Sequence, residues 1–313
     1  MKAAIVEKIG CSPIYGDFTE PIPQSGERIV NVTASALSPL ARGRAAGTHY
    51  SATGKLPFVV GVDGVGRLDD GTRVYFLLPR APFGAMSERT VVADGQWLPL
   101  PDDLDDTTAA VIANPGMSSW AALVDRAMLR AGETVLINGA TGAAGILAVK
   151  IARYLGAARV IATGRNEAVL RKVGADAVIP IGDDEEAFEA ALQKHFADGI
   201  DIVLDYLWGR SARSILVAGA KGAADGVPVR FVQIGSAGGD EIAMPAAVLR
   251  SSAIEIKGSG LGSVSLPRLV AAISGVFKAS AEAGMALEYQ SMALADVAAT
   301  WGDKGQRIVY SIR

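Results

Sequence analysis

The sequence predicts an α/β protein in which a doubly wound parallel sheet is joined to a smaller β-rich unit. Three observations lead there. From about residue 116, apolar strand-like runs alternate with amphipathic helix-like segments, the pattern of a parallel sheet covered on both faces. The first hundred residues instead carry β-branched runs broken by Gly and Pro. At residues 135–145, V-L-I-N-G-A-T-G-A-A-G takes an apolar strand through a glycine-rich turn into an apolar-striped segment.

The β-rich part reads as strands at 28–33, 58–65, 73–78 and 89–93, with turn signals at Asp70-Gly71 and Asp94-Gly95. A proline and a cluster of acids at 99–106 mark a helix start before 107–112. Ser118 or Ser119 is expected to cap a helix running through Leu129. A strand at 133–138 leads to a helix at 143–155 with Leu147, Ile151, Tyr154 and Leu155 on one face. Next come a strand at 159–163, a short helix at 166–173 ended by Gly174, and a strand at 177–180. A helix at 184–196 has an acidic start that suits its dipole and carries His195 as a surface residue. Strands at 200–205, 229–234 and 253–257, a helix at 267–283 and a strand at 307–312 complete the reading. The parallel-sheet unit is expected as an insert in a chain whose two ends fold together.

Composition narrows the function classes. Hydrophobic residues make up 50%, net charge is −3 and aromatics are 6%, which excludes a disordered chain and gives no basic stripe for nucleic acid. Cys11 is the only cysteine, so an internal disulfide and a four-thiolate zinc lobe are both excluded. With only His49 and His195 as histidines, no metal site is expected. The N-terminus lacks a signal-peptide pattern, and no run nears the roughly 20 apolar residues of a membrane span. A cytoplasmic protein with no membrane partner is the expectation.

The turn Ala140-Thr141-Gly142-Ala143-Ala144-Gly145 is an A-x-G-x-x-G variant of the dinucleotide fingerprint. Glycines let backbone approach a diphosphate, and the free N–H groups of the first helical turn point at the anion. Thr141, Gly142, Ala143 and Ala144 are therefore cofactor-binding candidates. Where a carboxylate would accept the ribose 2′-hydroxyl of NADH, this chain has Gly164-Arg165-Asn166. A guanidinium fork suits a 2′-phosphate, so NADPH is the predicted cofactor. A methyl-donor transferase also places a glycine-rich loop after its first strand, and that reading stands beside the first. Gly235-Ser236 follows the strand at 229–234, where either a ligand loop or a plain loop fits. His49 and Tyr50 lie in G-T-H-Y-S, a polar break that suits either hydrogen-bond donors to an oxyanion or a surface loop with an aromatic plug.

In order and spacing these segments resemble the zinc-independent quinone oxidoreductase branch of the medium-chain dehydrogenase/reductase superfamily. The segments that carry the resemblance are G-V-D-G-V-G at 61–66, G-T-R-V at 71–74, G-A-M-S-E at 84–88, G-M-S-S-W at 116–120, G-E-T-V-L-I at 132–137 and V-G-A-D at 173–176. The resemblance implies a GroES-like β-barrel catalytic domain, residues 1–116 with 259–313, and a Rossmann NADP-binding domain, residues 117–258, with the active site in the cleft separating them. It implies an oxidoreductase that transfers hydride from NADPH to a quinone, enone or similar small electrophile. A homodimer formed through the last Rossmann strand is also implied. Ile234, Gly235, Ser236 and Leu261 are then expected at the nicotinamide end and Leu207 near the adenosine ribose and nicotinamide edge. The chain departs from the family in having Ser38 and Ala41 where quinone reductases often carry Asn and Asp. Tyr50, His49 and Ser38 are the candidate catalytic donors. A non-catalytic NADPH-binding redox sensor would use the same cofactor residues.

Overall fold

The computed structural model describes residues 1–52, 55–303 and 305–312. The chain forms two compact units, Met1–Asn114 with Ala286–Arg313, and Pro115–Met285. In chain order the first contributes β1 (Lys2–Val6), β2 (Ile14–Asp17), β3 (Glu27–Ala36), α1 (Pro39–Ala45), β4 (Phe58–Val59), β5 (Asp63–Leu68), β6 (Arg73–Leu77), β7 (Arg89–Ala93) and β8 (Trp97–Pro99). Helix α2 (Asp106–Ala121) carries the chain into the second unit. There the strands are β9 (Thr134–Asn138), β10 (Arg159–Gly164), β11 (Ala177–Pro180), β12 (Ile202–Asp205), β13 (Val229–Gln233) and β14 (Ile254–Gly258). Its helices are α3 (Ala143–Tyr154), α4 (Glu167–Leu170), α5 (Glu185–Ala197), α6 (Gly209–Gly222), α7 (Ala246–Arg250) and α8 (Leu266–Ala279). β15 (Tyr289–Ala293), α9 (Val297–Thr300) and β16 (Arg307–Ser311) return to the first unit.

The first unit holds two sheets, β2-β1-β4 and β15-β16-β3-β5-β6-β8, with β7 also paired to β3. Val30, Val32, Val74, Phe76, Met86, Val92 and Tyr310 fill its core. The run read as one strand at 58–65 is broken, because β4 pairs with β1 while β5 pairs with β3. Between them Gly61 has φ +97°, and a Cβ there would stand 2.7 Å from the Met86 nitrogen. Only glycine lets the chain change sheets at that point.

In the second unit six parallel strands run in the order β11-β10-β9-β12-β13-β14. Val135, Leu136 and Ile137 of β9 are fully buried, as a central strand covered on both faces requires. The order reverses between β9 and β12, and ligands of such sheets bind outside the carboxyl ends of the strands at that reversal.

Several expected elements differ. Ser118 and Ser119 do not cap a helix: both lie inside α2, which runs through Pro115, and both hydroxyls donate to the Pro115 carbonyl. Helix α6 is absent from the sequence reading: Gly209, Gly219 and Gly222 lower its propensity, although its apolar residues recur at helical spacing. Tertiary packing overrides this: Ala212, Ile215, Leu216 and Ala218 are buried against Phe188, Leu192 and Phe196 of α5. The first unit takes the chain back at Ala286 rather than at residue 259. Leu269 and Ala272 of α8 pack with Ala121 and Val264, which ties that helix to the second unit. His195 is half-buried rather than a surface residue, and its Nδ1 lies 2.9 Å from Arg159 Nη2.

Candidate functional site

At the carboxyl end of β9 the chain turns through Gly139, at φ +92°. The motif expected from the sequence starts one residue later and leaves Gly139 out. Its left-handed conformation makes the tight turn, and Leu207 packs 3.0 Å from where its Cβ would stand. Gly142 then caps α3 with no side-chain hydrogen bond, so among the described residues the first N–H groups of the helix have no acceptor. A Cβ on Gly142 would meet only the Gly139 carbonyl oxygen, at 3.7 Å, so that side of the turn is open. A Cβ on Gly145 would overlap the same oxygen, which presses helix and strand together. Thr141, Ala143 and Ala144 stay partly exposed around this opening. The donors and the empty cradle fit a diphosphate.

Gly164 closes β10 beside the turn; its Cβ would stand 2.6 Å from Thr141 Cγ2, so any side chain here must displace Thr141. Arg165 follows, exposed, and among the described residues its guanidinium makes no hydrogen bond or ion pair. Asn166 Oδ1 accepts from Val169 N at 3.2 Å and caps α4. The Asn166 side chain is thus committed to the helix, while Arg165 is left to solvent and ligand.

A buried polar network lies beneath the turn, and no local sequence pattern predicts it. Asn138 Nδ2 donates to Asp205 Oδ1 at 2.7 Å and Thr163 Oγ1 donates to Asn138 Oδ1 at 2.7 Å. Asp205 also accepts from the Leu207 and Trp208 amides at 3.0 and 3.1 Å. Asn138, Thr163 and Asp205 are fully buried. Burial pushes the Asp205 carboxyl up to about 6, against the lowering pull of those amides and Asn138. The network ties the ends of β9, β10 and β12 together and bends the chain so that Leu207 faces Gly139. Ile234 N and Gly235 N both donate to the Asp205 carbonyl, at 2.7 and 3.2 Å. Gly238 N donates to the Leu207 carbonyl at 2.7 Å, which holds the Ile234–Gly235–Ser236 segment beside Leu207. Leu261 follows β14 and packs against the Ala121–Val264 cluster. Every predicted cofactor residue therefore follows the carboxyl end of β9, β10, β12, β13 or β14. The readable clue to the network is Asn138, a polar residue closing an apolar run.

The three candidate donors lie in the first unit. Ser38 is a buried residue whose hydroxyl accepts from Ala41 N at 3.1 Å, so it serves as the cap of α1 and not as an accessible donor. Tyr50 is 72% exposed, and its ring lies 4.2 Å from the His49 ring. His49 is better built. Thr48 and His49 amides donate to the Gly43 carbonyl, and a Cβ on Gly43 would come within 3.1 Å of His49 Cβ. Arg44 Nε donates to Ser51 Oγ at 2.9 Å, and Ser51 Oγ lies 2.8 Å from His49 Nδ1. The Ser51 amide also donates to His49 Nδ1 at 3.1 Å. With Nδ1 an acceptor, the neutral ring carries its proton on Nε2. Burial, then the Arg44 charge, lowers the imidazole pKa and holds it neutral near pH 7.

A helix N-terminus open beside a glycine turn, at the reversal of a six-stranded parallel sheet, is the architecture of a dinucleotide-binding fold. A family model described as zinc-binding dehydrogenase matches residues 143–275. The chain is 31% identical to a protein of Emericella nidulans described as "Probable NADPH-dependent quinone reductase tdiC", over 95% of this chain and 96% of that one. It is 28% identical to the quinone oxidoreductase of Homo sapiens, over 62% of this chain and 61% of that protein. The quinone oxidoreductase of Thermus thermophilus, solved also as its complex with NADPH, has a TM-score of 0.81 at 26% identity and is covered along 100% of both chains. The chain belongs to the quinone oxidoreductase family of the medium-chain dehydrogenase/reductase superfamily. Among the described residues no helix is long and apolar enough to cross a membrane.

Proposed function

We propose that this protein is a zinc-independent, NADPH-dependent reductase of quinones, enones or related small electrophiles, acting in the cytoplasm. The observation that carries the reading is the uncapped α3 N-terminus at Gly142, with Arg165 exposed and uncommitted one strand away. The Thr141–Ala144 backbone holds the diphosphate through amide donors and the helix dipole. Arg165 takes the 2′-phosphate, and Leu207, Ile234, Gly235, Ser236 and Leu261 bound the remainder of the dinucleotide. NADPH supplies a hydride, and NADPH + H⁺ + quinone → NADP⁺ + hydroquinone is the balanced reaction. His49 Nε2–H is the donor for the substrate oxygen that gains charge, with Tyr50 stacked beside it. β14 is the edge strand of the parallel sheet, with Ile256 37% exposed, and pairing of two such edges is the proposed dimer contact. The test is anaerobic NADPH oxidation with 2-methyl-1,4-naphthoquinone and a panel of enones. One NADPH consumed per quinone reduced is expected. Tight NADPH binding with no turnover on any acceptor would establish the sensor reading instead.

A further inference from the structure

Arg44 combines two properties that the reductase reading leaves unused. It sits in the last turn of α1, partly buried, and desolvation pulls its pKa down. Among the described residues no carboxylate pairs with it; its Nε hydrogen bond goes to a neutral hydroxyl, Ser51 Oγ. The other basic residue of that turn, Arg42, is held by the Asp303 carbonyl. A half-buried cation without a counter-ion is costly unless an anion visits it.

Arg44 and Ser51 also line a recess within the first unit. Its walls are apolar, formed by Phe58, Val60, Pro82 and Phe83 among others. The recess offers about 60 Å³ of accessible space and opens to solvent. That space suits a small charged group, with the ring that carries it toward the open side. The same Ser51 hydroxyl reaches His49 Nδ1, so cation, hydroxyl and imidazole form one chain beside the recess.

We infer that this recess docks the acidic oxygen group of an anionic electrophile on Arg44, so that the preferred substrates are quinones bearing a carboxylate or another ionised oxygen group. The inference rests on the proposed reductase function and narrows its substrate class. A charge-assisted hydrogen bond in a partly desolvated site contributes on the order of 1.5–3 kcal/mol, a factor of roughly ten to a hundred in affinity.

The test pairs a 1,4-naphthoquinone bearing a carboxyethyl chain with its methyl ester, which share the reacting ring and differ in charge. The wild-type protein is expected to show a kcat/KM for the acid at least tenfold above that for the ester. In Arg44→Met this ratio falls to near one, and Arg44→Lys keeps part of it. Calorimetric titration of the acid into the NADP⁺-loaded protein reads docking without turnover: binding to wild type and its loss in Arg44→Met are expected. Equal kcat/KM for acid and ester in wild type, or a ratio unchanged in Arg44→Met, overturns the inference while leaving the reductase reading intact. Absence of NADPH oxidation with both quinones removes the reductase reading, and the calorimetric arm then decides whether Arg44 holds an acid at all.

Discussion

At His49 the protein fixes a tautomer through neighbours rather than through a carboxylate. The Ser51 amide and hydroxyl both reach Nδ1, leaving the proton on Nε2, the donor of the proposed mechanism. His49→Phe is expected to lower kcat at least tenfold while the NADPH dissociation constant stays within twofold, read by steady-state kinetics and fluorescence titration. The sequence pointed to His49 and Tyr50 through their polar segment, and to Ser38 through the segment that matches the family's Asn and Asp. A serine before Pro39 is also a helix cap, and α1 uses it as one. Asp63 offers a second residue-scale test. It is buried beneath Tyr75 and Asn114, whose side chains donate to it at 2.9 and 3.3 Å. Burial raises its carboxyl to about 6, against the lowering effects of Tyr75, Arg307 and Asn114. A carboxyl whose folded pKa is raised gives up stability as pH climbs from its unfolded value near 3.9 to about 6, and no more beyond. The stability of wild type relative to Asp63→Asn should therefore fall between pH 4 and pH 6.5 by on the order of 3 kcal/mol and then level off. A difference that is flat with pH in urea denaturation would contradict the assignment.

Among the elements, α3 and the strands around it carry the proposed nucleotide site. Gly142 and Gly164 were legible as glycines in a motif, yet the reasons differ: Gly142 leaves room for a ligand, whereas Gly145 and Gly164 leave room for the protein's own backbone and Thr141. Gly164→Ala is expected to displace Thr141 and weaken NADPH several-fold, with little change in melting temperature. Gly145→Val is expected to cost the fold itself, since backbone rather than a flexible side chain blocks the new atoms. Both outcomes are read by thermal melting beside cofactor titration. The Asn138–Thr163–Asp205 network joins three strands that lie far apart in the chain, which is why no local pattern announced it. Asp205→Ala leaves Asn138 and two amides without their acceptor and should destabilise by about 2 kcal/mol or more. Helix α6 stayed hidden for a related reason. Its glycines read as breaks, but a Cβ at Gly219 would stand only 3.1–3.2 Å from Ile254 and the Phe196 ring.

On the scale of the whole chain, the alternation of strand and helix was enough to give the parallel sheet, and the order of glycine-bearing segments was enough to give the family. The point of return was not legible. Residues 259–285 read as the start of the closing segment, but α8 packs on Ala121 and the chain rejoins the first unit at Ala286. The short β1, β2 and β15 were also missed, although β2 pairs with the nearby β1 and β15 with the nearby β16; only the β1–β4 pairing joins strands remote in sequence. The proposed nucleotide residues are gathered from five strand ends of one unit, while His49 and Arg44 come from one loop and helix of the other.

The central claim is that α3 grips a diphosphate while Arg165 selects the phosphorylated adenosine. Titrating NADPH and NADH into wild type and Arg165→Asp tests it most directly. NADPH should bind wild type more tightly than NADH, and the substitution should weaken NADPH at least tenfold with a far smaller effect on NADH. Equal losses for both dinucleotides, or no loss for either, would contradict it.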